Sequence, residues 1–119
     1  CYIPLLNVLN ELVEEGSTSK MTFDISPVLC EQMEHPDFEE IFVRYCQDKI
    51  LGAQADYEYF IHSEHEQFFA PMAKFWEWWY ADKREQYLNR YNKSIIGGFK
   101  KLQDAGVIEV MTCGATHGY

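Results

Sequence analysis

No run of 18 apolar residues occurs among the 119, and no basic stretch precedes a hydrophobic one near the start. A membrane span and a secretory leader are therefore not expected. Positive charge is scarce: 10 Lys and Arg stand against 19 Asp and Glu, for a net charge of −9. Lys83-Arg84 and Lys100-Lys101 are isolated pairs among acids, not a basic patch. A surface of this sign repels phosphate backbones and anionic lipids, so neither nucleic acid nor membrane is an expected partner, whereas an uncharged polymer is compatible. The four cysteines, at 1, 30, 46 and 113, form no CxxC pair and no dense disulfide framework. They read as reduced thiols of a cytoplasmic protein, with Cys46 a small hydrophobe on a helical face. No cofactor motif, internal repeat or low-complexity tract is present. An initiator Met is also lacking, and the chain opens directly into Tyr2-Ile3-Pro4-Leu5-Leu6, so a single segment of a longer protein with both flanks missing is expected.

What the chain does contain is hydrophobic content of 47% and aromatic content of 16%, enough to build a core. Leu5, Leu6, Leu9, Leu12 and Val13 repeat at helical spacing behind Pro4, predicting a helix over 4–15 that stops at Gly16. Met21, Phe23 and Ile25 alternate with Thr22 and Asp24, which predicts a strand over 21–25. Ser26-Pro27 and His35-Pro36 each start a new helix, the second over 37–52 with Gly52 as its end. Ser63 and Glu66 fit a capping box ahead of Phe68, Phe69, Met72, Phe75, Trp76, Trp79 and Tyr80, read mainly as core filler. Trp78 falls off that stripe, free to stack on a sugar or to meet another subdomain. Leu88, Tyr91, Ile95, Phe99 and Leu102 predict one more helix, weakened at Gly97-Gly98 and closed at Gly106. The β-branched run 107–111 then predicts a second strand. Two strands make a poor sheet alone, so the expected class is α/β, mostly helical, with the two as parallel neighbours joined by an elaborated crossover.

Chemistry is expected where the second strand ends. Thr112-Cys113-Gly114-Ala115-Thr116-His117-Gly118 is almost entirely small residues around one imidazole, and α/β folds collect functional groups at the C-terminal ends of parallel strands. His117 can hydrogen-bond a hydroxyl or a carboxylate there, or serve structure alone. Asp24 at the end of the first strand and Glu109 within the second read chiefly as exposed strand residues. His62 and His65 with Glu64 and Glu66 do not form HExxH, so no metal site is assigned. Cys113 beside His117 is a permissible thiol and base, but no orienting group is identifiable.

The segment Thr112 to Tyr119 resembles the second conserved region of glycoside hydrolase family 57, with the Ala115-Thr116-His117-Gly118 stretch of its branching-enzyme type. Residues 4–10 are similar to that family's first helix, 21–33 to its second strand and following turn, and 99–109 to the approach to its third strand. The resemblance implies a partial (β/α)7-type barrel segment acting on α-1,4-glucan with retention, through a Glu nucleophile and an Asp acid/base. It implies that His117 lines the donor-sugar subsite and that Thr116 shapes the same loop. It places the family's first region before Cys1 and both catalytic regions beyond Tyr119. None of Asp24, Glu11, Glu31, Glu64 or Glu109 sits in a catalytic motif, so no catalytic residue, cofactor or metal ligand is assigned. The implied partners are an α-glucan polysaccharide and the remaining part of the same enzyme. An α-amylase or 4-α-glucanotransferase of the same family is the alternative activity, and a small helical interaction module the alternative class.

Overall fold

The structure is a computed structural model that describes residues 1–17, 20–111 and 113–116. The chain forms two compact units, one of Cys1–Phe38 with Tyr91–Tyr119 and the other of Glu39–Arg90.

In the first unit, α1 spans Tyr2–Glu14 and buries Ile3, Leu6 and Leu9, a three-residue spacing that keeps one face inward. Strand β1 covers Met21–Asp24, and α2 covers Pro27–Met33. Helix α5 covers Ile95–Asp104 and β2 covers Ile108–Met111. The predicted strands form and are parallel, in the register Met21↔Ile108, Thr22↔Glu109, Phe23↔Val110 and Asp24↔Met111. Ile108 is buried and Phe23 meets Phe99 of α5 at 5.9 Å, so this face of the pair lies on the helices. Thr22, Asp24, Glu109 and Met111 occupy the opposite face and are exposed.

Both helices that lead towards strands end in the same way. Gly16 (φ 75°) donates to the Val13 carbonyl and Ser17 to that of Leu12. Gly106 (φ 70°) donates to Gln103 and Val107 to Leu102. These are paired Schellman bonds, which consume the last carbonyls and turn the chain sharply. Helix α1 packs on α5 at Gly98, where a Cβ would stand 2.9 Å from Leu6 Cδ1 and 3.2 Å from Tyr91 Cδ1. The glycine read as a weak point is thus the place where two helices come close.

The second unit carries most of α3, Phe38–His62, followed by a 3₁₀ turn at Gln67–Phe69. Helix α4, Ala70–Glu85, then runs into a π-helical stretch at Gln86–Arg90. Gln54 donates to Glu77 at 2.7 Å, Arg84 to Gln47, and Phe42 meets Tyr87 at 4.8 Å. Residues later in α3 meet residues earlier in α4, so the two form an antiparallel helical hairpin.

Several sequence expectations differ from the structure. Helix α3 passes through Gly52 for ten further residues, because a mid-helix glycine costs only about 1 kcal/mol and the hairpin contacts outweigh it. Ser63 does not cap a helix; its hydroxyl touches the Glu66 side chain at 3.4 Å, and α4 begins at Ala70. The expected continuous helix from Leu88 breaks at Asn92 and Lys93, both at positive φ (47° and 64°). Ser94 then caps α5 by accepting from the Gly97 amide at 2.9 Å, and donates to Glu34 at 2.8 Å. Of the α4 aromatics read as core filler, Phe75 and Trp76 are exposed and Trp79 and Tyr80 half-buried, while Trp78, off that stripe, is exposed as its position allows.

Candidate functional site at the strand ends

The parallel pairing brings the C-terminal ends of β1 and β2 side by side, so Asp24 and the segment after Met111 open on one edge. A parallel arrangement alone does this, since an antiparallel pair would send the two ends apart. After β1, Pro27 opens α2 behind Ser26, which is buried and extended (φ −63°, ψ 144°). The Val28 amide, in the first turn of α2 and without an intrahelical partner, donates to the Ala115 carbonyl at 3.2 Å. That bond fastens the small-residue segment to α2. Thr116 follows on the exposed side.

Asp24 is more than an exposed strand residue. Its carboxylate accepts from the half-buried Cys113 thiol, and this bond, followed by burial, raises the thiol pKa above its ordinary value. The negative charge and the hydrogen bond both favour the protonated form. Cys113 is consequently a poor nucleophile near neutral pH. Sequence reasoning missed this contact, although both residues stand at the ends of strands that it made parallel neighbours. Glu109 is exposed on the face away from α5, as its mid-strand position predicts. His117, the residue the sequence singles out, lies outside the described residues, as does Thr112. Cys113 meets Asp24 at this edge of the sheet and Thr116 is exposed; no sugar-shaped cradle is defined by these residues alone.

The His62 to Glu66 segment lies in the other unit and does other work. His62 Nδ1 is 2.7 Å from the Glu58 carbonyl oxygen, and Glu66 accepts from Tyr59 at 2.9 Å. No group of three His, Cys, Asp or Glu side chains able to hold a metal occurs among the described residues. None of the described helices is long and apolar enough to cross a membrane. All four cysteines are free.

A sequence model of glycosyl hydrolase family 57 matches residues 1–119. The chain belongs to glycosyl hydrolase family 57. Within that family it is 31% identical over 118 residues to a 1,4-alpha-glucan branching enzyme of Thermococcus kodakarensis, covering 99% of this chain and 16% of the relative. Among solved structures it is similar to a family 57 branching enzyme from Pyrococcus horikoshii, with a TM-score of 0.88 and 30% identity over 99% of this chain and 21% of that one. An alpha-amylase from Thermotoga maritima is similar with a TM-score of 0.81 and 31% identity, over 98% of this chain and 21% of that one. The chain therefore spans only about a fifth of the length of these proteins. Its fold, mostly helical with two parallel strands, corresponds to part of the family 57 structure.

Proposed function

We propose that these 119 residues form part of the catalytic barrel of a retaining α-glucan-processing enzyme, with branching of 1,4-α-glucan as its activity. The observation that carries this reading is the parallel strand pair in a family 57 chain, which delivers Asp24 and the Cys113–Thr116 segment to one edge. In barrels built of parallel strands that edge is where substrate meets protein. The segment continues from Thr116 into His117, to which we assign hydrogen bonding of donor-sugar hydroxyls, with Thr116 holding the loop.

The reaction needs two carboxylates, one to attack the anomeric carbon and one to protonate the departing oxygen. A glucose 6-hydroxyl then displaces the enzyme from the covalent intermediate, with the second carboxylate taking its proton. We assign neither role within this chain, because neither Asp24 nor Glu109 stands in the catalytic regions that the family resemblance implies. Those groups belong to the remainder of the enzyme. The contribution of this segment is therefore to bind and orient the sugar. A thiol held protonated beside the site also avoids a competing nucleophile.

The test is incubation of the natural full-length protein with amylose, followed by enzymatic debranching. New short chains released only by debranching are expected, with no matching rise in reducing ends before it. His117→Ala is expected to lower kcat/KM about tenfold, the value of one lost hydrogen bond to substrate at roughly 1.4 kcal/mol. Reducing ends without new branches would replace branching by hydrolysis, a second reading favoured by the similarity to the Thermotoga maritima alpha-amylase. An inert protein would end both.

A further inference from the structure

We propose that the hairpin of α3 and α4 carries a second, non-catalytic binding site for a neutral α-glucan chain, in an open groove of about 360 Å³. The inference rests on the α-glucan reading above but on none of the strand-end residues. Helix α3 presents Asp48, Lys49 and Asp56 to the groove, and α4 presents Trp76 and Tyr80. Gly52, Ala53 and Ala73 line it between them, and their small side chains are the reason a cavity exists where two helices pack. The volume falls within the roughly 300–1,000 Å³ of small-ligand sites.

The chemistry of the walls selects the occupant. Trp76 is 42% exposed, and its ring lies 5.9 Å from that of Tyr80 with 34° between their planes. Together they make a continuous aromatic wall of the kind that the apolar face of a pyranose covers. Asp48 and Asp56 are exposed, and neither carboxylate has a hydrogen-bond or ion-pair partner among the described residues. They lie eight residues apart on one helix, about 12 Å along its axis, so a ligand touching both is longer than one hexose ring. Carboxylates accept well from hydroxyl groups. Burial under an apolar protein surface would instead strip water from two like charges, with Lys49 the cation beside them in the groove, a costly exchange. Anionic ligands are repelled by the same pair and by the net charge of −9. A neutral polyhydroxylated chain satisfies all of these constraints, and the open groove admits an internal stretch of a polymer.

The test is native electrophoresis of the full-length protein in gels containing amylose, run beside activity on amylose and thermal unfolding. For Trp76→Ala the apparent dissociation constant for amylose is expected to rise about tenfold, and for Asp48→Asn with Asp56→Asn about threefold. Trp78→Ala, whose exposed ring lies outside the groove, is expected to be retarded as the unaltered protein is. Trp76→Ala protein retarded like the unaltered protein would overturn the site while leaving the α-glucan reading intact. So would unchanged retardation with a large loss of thermal stability, which would mark the groove as a contact with another part of the protein. An unaltered protein neither retarded by amylose nor active on it would overturn the underlying reading, and this site with it.

Discussion

Cys113 shows how a single neighbour sets the behaviour of a side chain. The Asp24 carboxylate, which accepts from the thiol, is the main reason for its raised pKa. Because the folded value lies above the ordinary one, the thiolate population at pH 8 is smaller than that of a free cysteine and grows only as the pH rises further. Asp24→Asn removes the charge while keeping the shape. Alkylation of Cys113 by iodoacetamide at pH 8, followed site by site in peptide mass spectra, is expected to speed up in that variant, because losing the carboxylate lowers the thiol pKa and raises the thiolate fraction. A slower or unchanged rate would mean that burial, not Asp24, holds the proton. Cys46 is raised chiefly by burial, and its labelling is expected to stay slow in both proteins.

Helix pairing is decided at glycines. At Gly98 the usual gain from alanine in a helix, about 1 kcal/mol, meets a Cβ placed 2.9 Å from a Leu6 side chain that is itself fully buried. The Tyr91 ring on the other side is tied by its hydroxyl to Asn7 at 2.6 Å, so neither neighbour yields freely. Overpacking of this kind costs about 1–3 kcal/mol, so Gly98→Ala is expected to lower stability by about 1 kcal/mol net in chemical denaturation. A stabilised variant would show that Leu6 gives way. Gly106→Ala differs in mechanism, since its surroundings are empty and only the positive φ resists; a loss of about 1–2 kcal/mol is expected by the same measurement. Both stops, Gly16 and Gly106, were legible in the sequence because each follows the last residue of a periodic stripe. The break at Asn92-Lys93 was not, because the apolar spacing carries on across it from Tyr91 to Ile95 while the backbone does not.

On the scale of the whole chain, two strands pair only with each other among the described residues, and Met21 and Met111 are 44% and 52% exposed. A two-stranded sheet is marginal in water. Phe68, Phe75 and Trp78, outside the α3–α4 groove, add further exposed apolar surface. Produced as 119 residues alone, the chain is expected to bind the dye ANS and to melt over a broad range, while the full-length protein melts sharply and binds little dye. Sharp melting of the short chain without dye binding would mean that these two units need no further partner for their strands and aromatic surface.

The sequence by itself determined the local events and the family: that Pro4 and Pro27 stand in the first turns of helices, that helices stop at Gly16 and Gly106, and which two runs become strands, each four residues long in the structure. Those follow from backbone sterics and periodicity, which act over a few residues. Tertiary structure alone decided that Asp24 reaches Cys113, that Gly98 is a helix contact, and that Trp76 lines a groove with Asp48 and Asp56 rather than filling a core. Each of these depends on groups between 20 and 92 positions apart, or on which face of a stripe finds a partner, and spacing along the chain carries no record of either.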